Sequence, residues 1–208
     1  YPTIRPEITL DFANSRQLDP RITFSRSSSA TYLNPDTGLI TTASDHEARF
    51  EEEGLLIEES RTNTIVNSTN MPAIFTAVEL TATPNAGTAP DGTNTAVRLE
   101  ASANATQHYY QCASGGGATR TYTVFAKADG ENTIYLGNYF YVSQGFNFDL
   151  TDDSEPSGSF PGSITYSYTQ KNLANGWKRL SYTIDSYGAR FNFIVMPGGN
   201  NSNAGTGG

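Results

Sequence analysis

The chain has very few of the residues that build disulfide-bonded or metal-held folds. Its 208 residues include one cysteine, two histidines and one tryptophan. Cys112 has no second cysteine with which to form an internal disulfide, so packing or subunit contacts must stabilise the fold. His46 and His108 lie far apart in the sequence, so no local spacing predicts a catalytic triad or a zinc site. We interpret both as surface or hydrogen-bonded histidines.

Basic charge and long apolar runs are also scarce. Thirteen Lys and Arg residues stand against 21 Asp and Glu residues, which gives a net charge of -8. Nucleic-acid phosphates and anionic lipid surfaces would repel such a chain. No stretch approaches the roughly 18 apolar residues of a membrane span, and the first residues do not resemble a secretion signal. We therefore expect no nucleic-acid partner and no membrane insertion.

Recognisable catalytic motifs are missing as well. There is no Gly-x-Ser-x-Gly elbow, no phosphate-binding loop and no His-Glu-x-x-His pair. The three consecutive residues Glu51, Glu52 and Glu53 are expected to form a solvated loop. We predict that the protein is not an enzyme.

A second acidic cluster leaves a metal site open as an alternative. Its carboxylates are the hard oxygen ligands that calcium prefers, but they lack the spacing of a dedicated calcium loop. We interpret the cluster as an acidic turn with no cofactor, and calcium is the alternative. Its members are Asp149, Asp152, Asp153 and Glu155.

The residues that are abundant after Val66 are those of strands and turns. Thr, Ser, Asn, Gly and aromatic residues predominate, and apolar residues recur with a period of two. Gly, Pro, Asn and Asp clusters separate these runs, for example at residues 83–87, 89–92 and 175–176. We predict an all-β fold, an antiparallel β-sandwich of the jelly-roll type with only short helices. The alternating sets are Tyr122/Val124/Ala126, Phe146/Phe148/Leu150, Ile164/Tyr166/Tyr168, Leu180/Tyr182/Ile184 and Phe191/Phe193/Val195.

The first third of the chain has a different amino-acid composition and hydrophobic pattern. Residues 1–66 contain short apolar patches between turn signals, too few to form an independent core. We predict an extended module of short strands and arms over residues 1–66, followed by the sandwich over residues 67–208. Arginine forks pair with carboxylates, such as those of Glu58 and Glu59, or cap exposed carbonyls, and would lock such arms. The arginines predicted to have this structural role are Arg21, Arg26, Arg49 and Arg61.

Motifs in this module carry a resemblance to a known group of proteins. They are residues 10–15 (LDFANS), 18–26 (LDPRITFSR), 30–32 (ATY), 38–40 (GLI), 48–50 (ARF) and 54–63 (GLLIEESRTN). In this order they resemble a segment of many tailed-bacteriophage virion structural proteins. That family usually has a longer insertion between the last two motifs, where this chain has only three glutamates.

The resemblance also has implications for the rest of the chain. Such proteins commonly continue into a jelly roll similar to carbohydrate-binding modules, whose markers resemble residues 90–96 (PDGTNTA), 122–127 (YTVFAK) and 175–179 (NGWKR). The family's counterpart of Trp177 implies a core packing residue. In the family a last strand follows a Gly-rich loop, so residues 203–208 (NAGTGG) resemble a chain cut before its last strand.

The function implied by the resemblance is structural. It is that of a virion protein in a tail, a fibre or a capsid-surface decoration, assembled in the host bacterial cytoplasm. Its expected partners are other virion proteins and further copies of itself in a homo-oligomer.

The alternative is a receptor-binding adhesin that recognises a host surface glycan through the jelly roll. Consecutive aromatic residues in a strand place at least one ring away from the core, where it can cover a sugar face. Packing on the sandwich or against another subunit is the other interpretation of these rings. The candidate aromatics are Tyr109, Tyr110, Tyr139, Phe140 and Tyr141.

Overall fold

The protein is all-β in a computed structural model that describes residues 8, 10–65, 75–101, 109–113, 118–138, 141–160, 162, 164–185 and 192–198. Its internal contacts divide it into two compact units. The N-terminal unit contains Tyr1–Thr62 with Pro90–Gly92, and the sandwich unit contains Asn63–Ala89 with Thr93–Gly208. The amino-acid composition of the sequence changes near residue 66. No feature of the sequence predicted that Pro90–Gly92 would belong to the first unit. In the described ranges no helix is long and apolar enough to cross a membrane.

In its described residues the N-terminal unit contains one helical turn and two short antiparallel strand pairs. The Asp11 side chain caps the turn by accepting bonds from the Asn14 amide groups, at 3.4 Å for the backbone and 2.7 Å for the side chain. Pro90 joins the unit because its carbonyl accepts a bond from the backbone N–H of Ile40 at 3.0 Å. Its elements are α1 (Phe12–Ser15), β1 (Ala30–Leu33) paired with β2 (Ile40–Ala43), and β3 (Phe50–Glu51) paired with β4 (Gly54–Leu55).

The other strands that the structure describes belong to the sandwich unit and form three antiparallel sheets. They are β5 (Thr76–Val78), β6 (Leu80–Gly87), β7 (Ala96–Ala101), β8 (Tyr109–Ala113), β9 (Arg120–Ala126), β10 (Thr133–Asn138), β11 (Tyr141–Asp149), β12 (Ser157–Ser159), β13 (Tyr166–Asn172), β14 (Lys178–Ile184) and β15 (Asn192–Pro197). The sheets have the orders β12-β11-β10-β15-β8-β5, β13-β14-β9 and β6-β7. The late strands β15 and β14 lie between earlier strands, as in a jelly roll.

The core of the sandwich forms between the inner faces of the two larger sheets. The six-stranded sheet contributes Phe146 and Phe148, which are at most 1% exposed, and the three-stranded sheet contributes Leu180 and Tyr182, both at 0%. The rings of Tyr122 and Tyr182 stack with centroids 5.2 Å apart. Burial of each such side chain contributes roughly 1.5–3 kcal/mol, so these aromatic residues dominate the stability of the sandwich. The predicted β-sandwich is confirmed.

The outer face of the six-stranded sheet holds a smaller cluster around Tyr135, which is 1% exposed. Its ring lies over two glycines that are paired across β10 and β11, Gly137 and Gly145. A Cβ atom at Gly137 would lie 2.2 Å from the Tyr135 hydroxyl oxygen. Burial raises the pKa of this hydroxyl well above its ordinary value. Ile194 and Met196 complete the cluster, so β15 is buried on both faces.

Two local predictions differ from the structure. The signal at residues 83–87 is not a turn: β6 continues through it with a bulge between Thr83 and Gly87, which accommodates the proline within a strand pair. Trp177 is half-buried and lies outside the core, contrary to expectation. Its indole N–H donates to the Thr88 carbonyl at 3.0 Å, and this hydrogen bond connects two loops of the sandwich unit.

Candidate functional site

Arg49 is the central buried group of the N-terminal unit. It is 6% exposed and precedes β3. One guanidinium nitrogen, Nη1, donates to the Thr31 carbonyl and to Glu58 Oε2, both at 2.8 Å. The side chain therefore ties β1 to the segment that follows β4. A buried arginine must have such partners, because an unpaired buried charge is strongly destabilising.

Glu51 is the second buried charged residue of this unit. It is 9% exposed, and its Oε1 accepts the backbone N–H of Leu33 at 2.8 Å. The expectation of a solvated loop is wrong for Glu51 and correct for the exposed residues Glu52 and Glu53. Residues 49 and 51 share one side of an extended chain, and this period of two was the signal that the sequence interpretation missed.

Arg26 fastens a loop to the end of β2. Its Nε donates to the Ser28 carbonyl at 2.7 Å, and its Nη2 donates to the Ser44 carbonyl. The backbone N–H of Arg26 also donates to His46 Nδ1 at 3.3 Å, while the His46 N–H donates to the Arg26 carbonyl at 2.9 Å. His46 is thus a hydrogen-bonded residue that accepts through Nδ1.

The other two arginines form local carboxylate pairs. Arg21 makes a bidentate contact with Asp19, from Nε and Nη2 at 2.8 Å each. These bonds hold the pKa of the Asp19 carboxyl at about 2. Arg61 contacts Glu59 at 2.5 Å, but both side chains are about 80% exposed (82% and 78%). Solvent screening leaves an exposed pair of this kind a contribution of about 0–1 kcal/mol.

Two residues of the acidic cluster that begins at the end of β11 bind an ammonium group. Lys178, 4% exposed, donates through Nζ to the Asp152 carbonyl and to Asp153 Oδ1, the latter at 3.0 Å. Hydrogen bonds from Lys178 and from Asn172 lower the pKa of the Asp153 carboxyl. Asp149 Oδ1 accepts the Thr151 N–H at 2.7 Å, as in an Asx turn. In the part of the chain that the structure describes, no three His, Cys, Asp or Glu side chains are grouped to hold a metal ion.

None of the five aromatic candidates has a described side chain. Tyr139 and Phe140 lie wholly outside the described residues. Tyr109 and Tyr110 belong to β8, and Tyr141 begins β11, but their side chains are not among those described. Their role as glycan or interface residues stays a prediction.

The comparisons with known proteins are negative. No protein-family model matches the chain, and no curated protein sequence matches it. The resemblance to bacteriophage virion proteins therefore depends on the quoted motifs alone.

Proposed function

We propose that the chain is a structural, non-catalytic component of a tailed-bacteriophage particle, in a tail, a fibre or a capsid-surface appendage, and that its N-terminal unit mediates assembly. One observation carries this proposal: no large apolar side chain is fully buried among the described residues of that unit. Among its described residues only Ala43, Arg49, Glu51 and Gly54 are buried, and two of these four are charged. A segment of this size without an apolar core gains little stability from its own packing and favours contact with a partner.

Exposed apolar residues support the same proposal. Ile57 is 80% exposed and Leu10 is 55% exposed, although both lie in motifs that carry the resemblance. Polar residues of the motifs have internal partners in the cases of Arg26, Arg49 and Glu58. The motif residues therefore divide into side chains that lock the unit and apolar side chains that remain available to another subunit.

Electron cryomicroscopy of particles assembled with this chain tests the proposal. We expect density for the N-terminal unit against other virion subunits, with Ile57 in the contact. Ile57→Glu should reduce the amount of this chain per particle at least about tenfold, because a charge buried in an apolar contact is costly. Ser29→Glu adds the same charge at another exposed position of the unit and should leave incorporation unchanged. Particles that lack the chain, or that incorporate both variants equally well, would contradict the assembly role.

A further inference from the structure

The three-stranded sheet ends in a long strand that has a neighbour on one side only. Among the described strands, β13 pairs with β14 and with no other. It extends over 7 residues in continuous register, whereas β5 and β12, the edge strands of the six-stranded sheet, have 3 residues each. Proteins usually protect a sheet edge with short strands, bulges, proline or charge. Apart from the charge of Lys171, β13 has none of these features.

The hydrogen bonds at the two ends of the β13–β14 pair show which backbone groups point outward. The Asp185 N–H donates to the Thr165 carbonyl at 2.9 Å, and the Leu173 N–H donates to the Trp177 carbonyl at 2.8 Å. Every second residue of an antiparallel strand bonds to its neighbour, so the odd-numbered residues of β13 bond to β14. The N–H and C=O groups of the even-numbered residues therefore point away from the sheet. These residues are Tyr166, Tyr168, Gln170 and Asn172.

The outward backbone groups of β13 have no hydrogen-bond partner in the part of the chain that the structure describes. Ser167 and Thr169, which lie between them, are exposed, and Tyr166 is 39% exposed. Exposed donors and acceptors along an extended strand form a template to which another strand can add. The other edge of this sheet, β9, offers three outward residues by the same alternation, against four in β13.

We propose that β13 pairs antiparallel with β13 of a second copy of the chain, so that two three-stranded sheets become one six-stranded sheet. One register joins all the outward groups. In this register Tyr166 lies opposite Asn172 of the second copy, and Tyr168 lies opposite Gln170 of the second copy. With their symmetry mates these residues form four hydrogen-bonded pairs, each of which exchanges two backbone bonds.

The outer side chains of β13 are compatible with this register. Thr169 lies opposite Thr169 of the second copy, and two threonines in this position can bond through their hydroxyls. Lys171, the one charged residue of β13, lies opposite Ser167 of the second copy, so like charges do not face each other. This dimer concerns the sandwich unit alone, so it goes beyond the assembly role of the N-terminal unit and does not depend on it.

Symmetry favours this pairing over other uses of the same edge. When one patch meets its own copy, the contact closes into a two-fold dimer, which is the commonest arrangement among protein oligomers. Pairing of β13 with β9 of a second copy would leave one free edge at each end and would produce open chains. It would also match four outward residues with only three.

Disulfide trapping with the full chain tests both the strand and its register. In the proposed dimer the two Cα atoms of residue 169 lie about 4.5 Å apart, within the range of a disulfide bond. Oxidised glutathione should therefore convert Thr169→Cys into a covalent dimer, which peptide mass spectrometry should show to be linked through residue 169. Ser167→Cys places a thiol on the same face but at least about 13 Å from its counterpart, so it should not form this dimer. The unmodified chain, with Cys112 alone, is the control for the native thiol.

Sedimentation velocity of proline variants tests the backbone bonds. Gln170→Pro removes an outward N–H and leaves the bonds to β14 intact, so the dissociation constant of the dimer should rise at least about tenfold. Gln170→Ala keeps that N–H and removes only the side chain, which donates to the Ser154 carbonyl at 2.9 Å. Thr123→Pro makes the same backbone change in β9. Both controls should change the dissociation constant less than about twofold.

Several results would overturn the proposal. A monomer at every concentration, without a cross-link through residue 169, would leave the edge to a strand from a different protein. Equal cross-linking of Thr169→Cys and Ser167→Cys would indicate random collision in place of one register. Loss of the dimer in Thr123→Pro and not in Gln170→Pro would indicate contact through β9, and species larger than a dimer would indicate pairing of β13 with β9. Circular dichroism verifies the fold of each variant, and if Gln170→Pro is misfolded, the cross-linking at the exposed residue 169 decides.

Discussion

At the scale of single residues, buried and half-buried charged side chains join segments of the N-terminal unit, in which no large apolar side chain of the described residues is fully buried. Arg49 donates hydrogen bonds to a carbonyl and to a carboxylate. Arg26 donates to the carbonyls of Ser28 and Ser44. Lysine could not replace Arg26, because a single ammonium group cannot reproduce the fixed fork by which Nε and Nη2 reach two different carbonyls. Glu51 plays the complementary role by accepting a strand N–H. Each such residue therefore fastens two segments that have little apolar area of their own.

The pair of Asp19 and Arg21 gives a prediction about pH. Bonds from Arg21 lower the Asp19 pKa from 3.8 to about 2, so the pair favours the folded state fully above about pH 4. This contribution is lost as the pH falls through about 2, where the folded carboxylate takes up a proton. NMR titration of the side-chain carboxyl carbon should give a pKa near 2, and Arg21→Gln should return it towards 3.8. Arg61→Gln, the control, should leave it unchanged. An Asp19 pKa near 3.8 in the unmodified protein would refute the pairing.

At the scale of elements, the sequence predicted strands well where one face is buried. Alternation identified Tyr122 and Tyr182 as inward residues because a half-buried strand repeats every two positions. In β15 the same rule selected Val195 but did not predict that Ile194 and Met196, on the opposite face, are buried as well. Trp177 was misjudged because its hydrogen-bond partner, Thr88, is distant in sequence and only the folded chain brings the two together.

The contact between Tyr135 and Gly137 gives a prediction about β10. All three atoms nearest to a Cβ at Gly137 belong to the Tyr135 ring, so Gly137→Ala must displace that buried ring. We expect Gly137→Ala to cost about 1–3 kcal/mol of unfolding free energy, measured by urea denaturation. In a Tyr135→Ala background the same change should cost less than about 0.5 kcal/mol, because the obstructing ring is gone.

A control for this cycle lies in β6. A Cβ at Gly87 would meet nothing within 4 Å, so Gly87→Ala should change the stability by less than about 0.5 kcal/mol. Equal costs of Gly137→Ala in both backgrounds would show that the ring does not occupy this space.

At the scale of the whole molecule, the two units are stabilised by different physical effects. The sandwich unit buries a continuous set of aromatic and aliphatic side chains, whereas the N-terminal unit buries Arg49 and Glu51. Hydrophobic burial is non-directional and cooperative over a large area, whereas a few charged residues stabilise only the segments that they join. The charged residues were visible in the sequence, but their partners could be assigned only after folding, because Thr31 and Leu33 contribute backbone atoms.

This contrast predicts that the N-terminal unit opens locally without unfolding of the sandwich. Hydrogen exchange monitored by mass spectrometry should show faster exchange in β1 and β2 than in β9 and β14, because few apolar contacts protect the former. Arg49→Gln removes the charged fastener and should accelerate exchange in β1 and β2 about tenfold, while β9 and β14 keep their rates. Arg61→Gln removes an exposed pair and should change neither. Equal acceleration in all four strands would mean that both units open as one cooperative body. In that case the lack of large, fully buried apolar side chains in the described part of the N-terminal unit would no longer argue that it needs a partner.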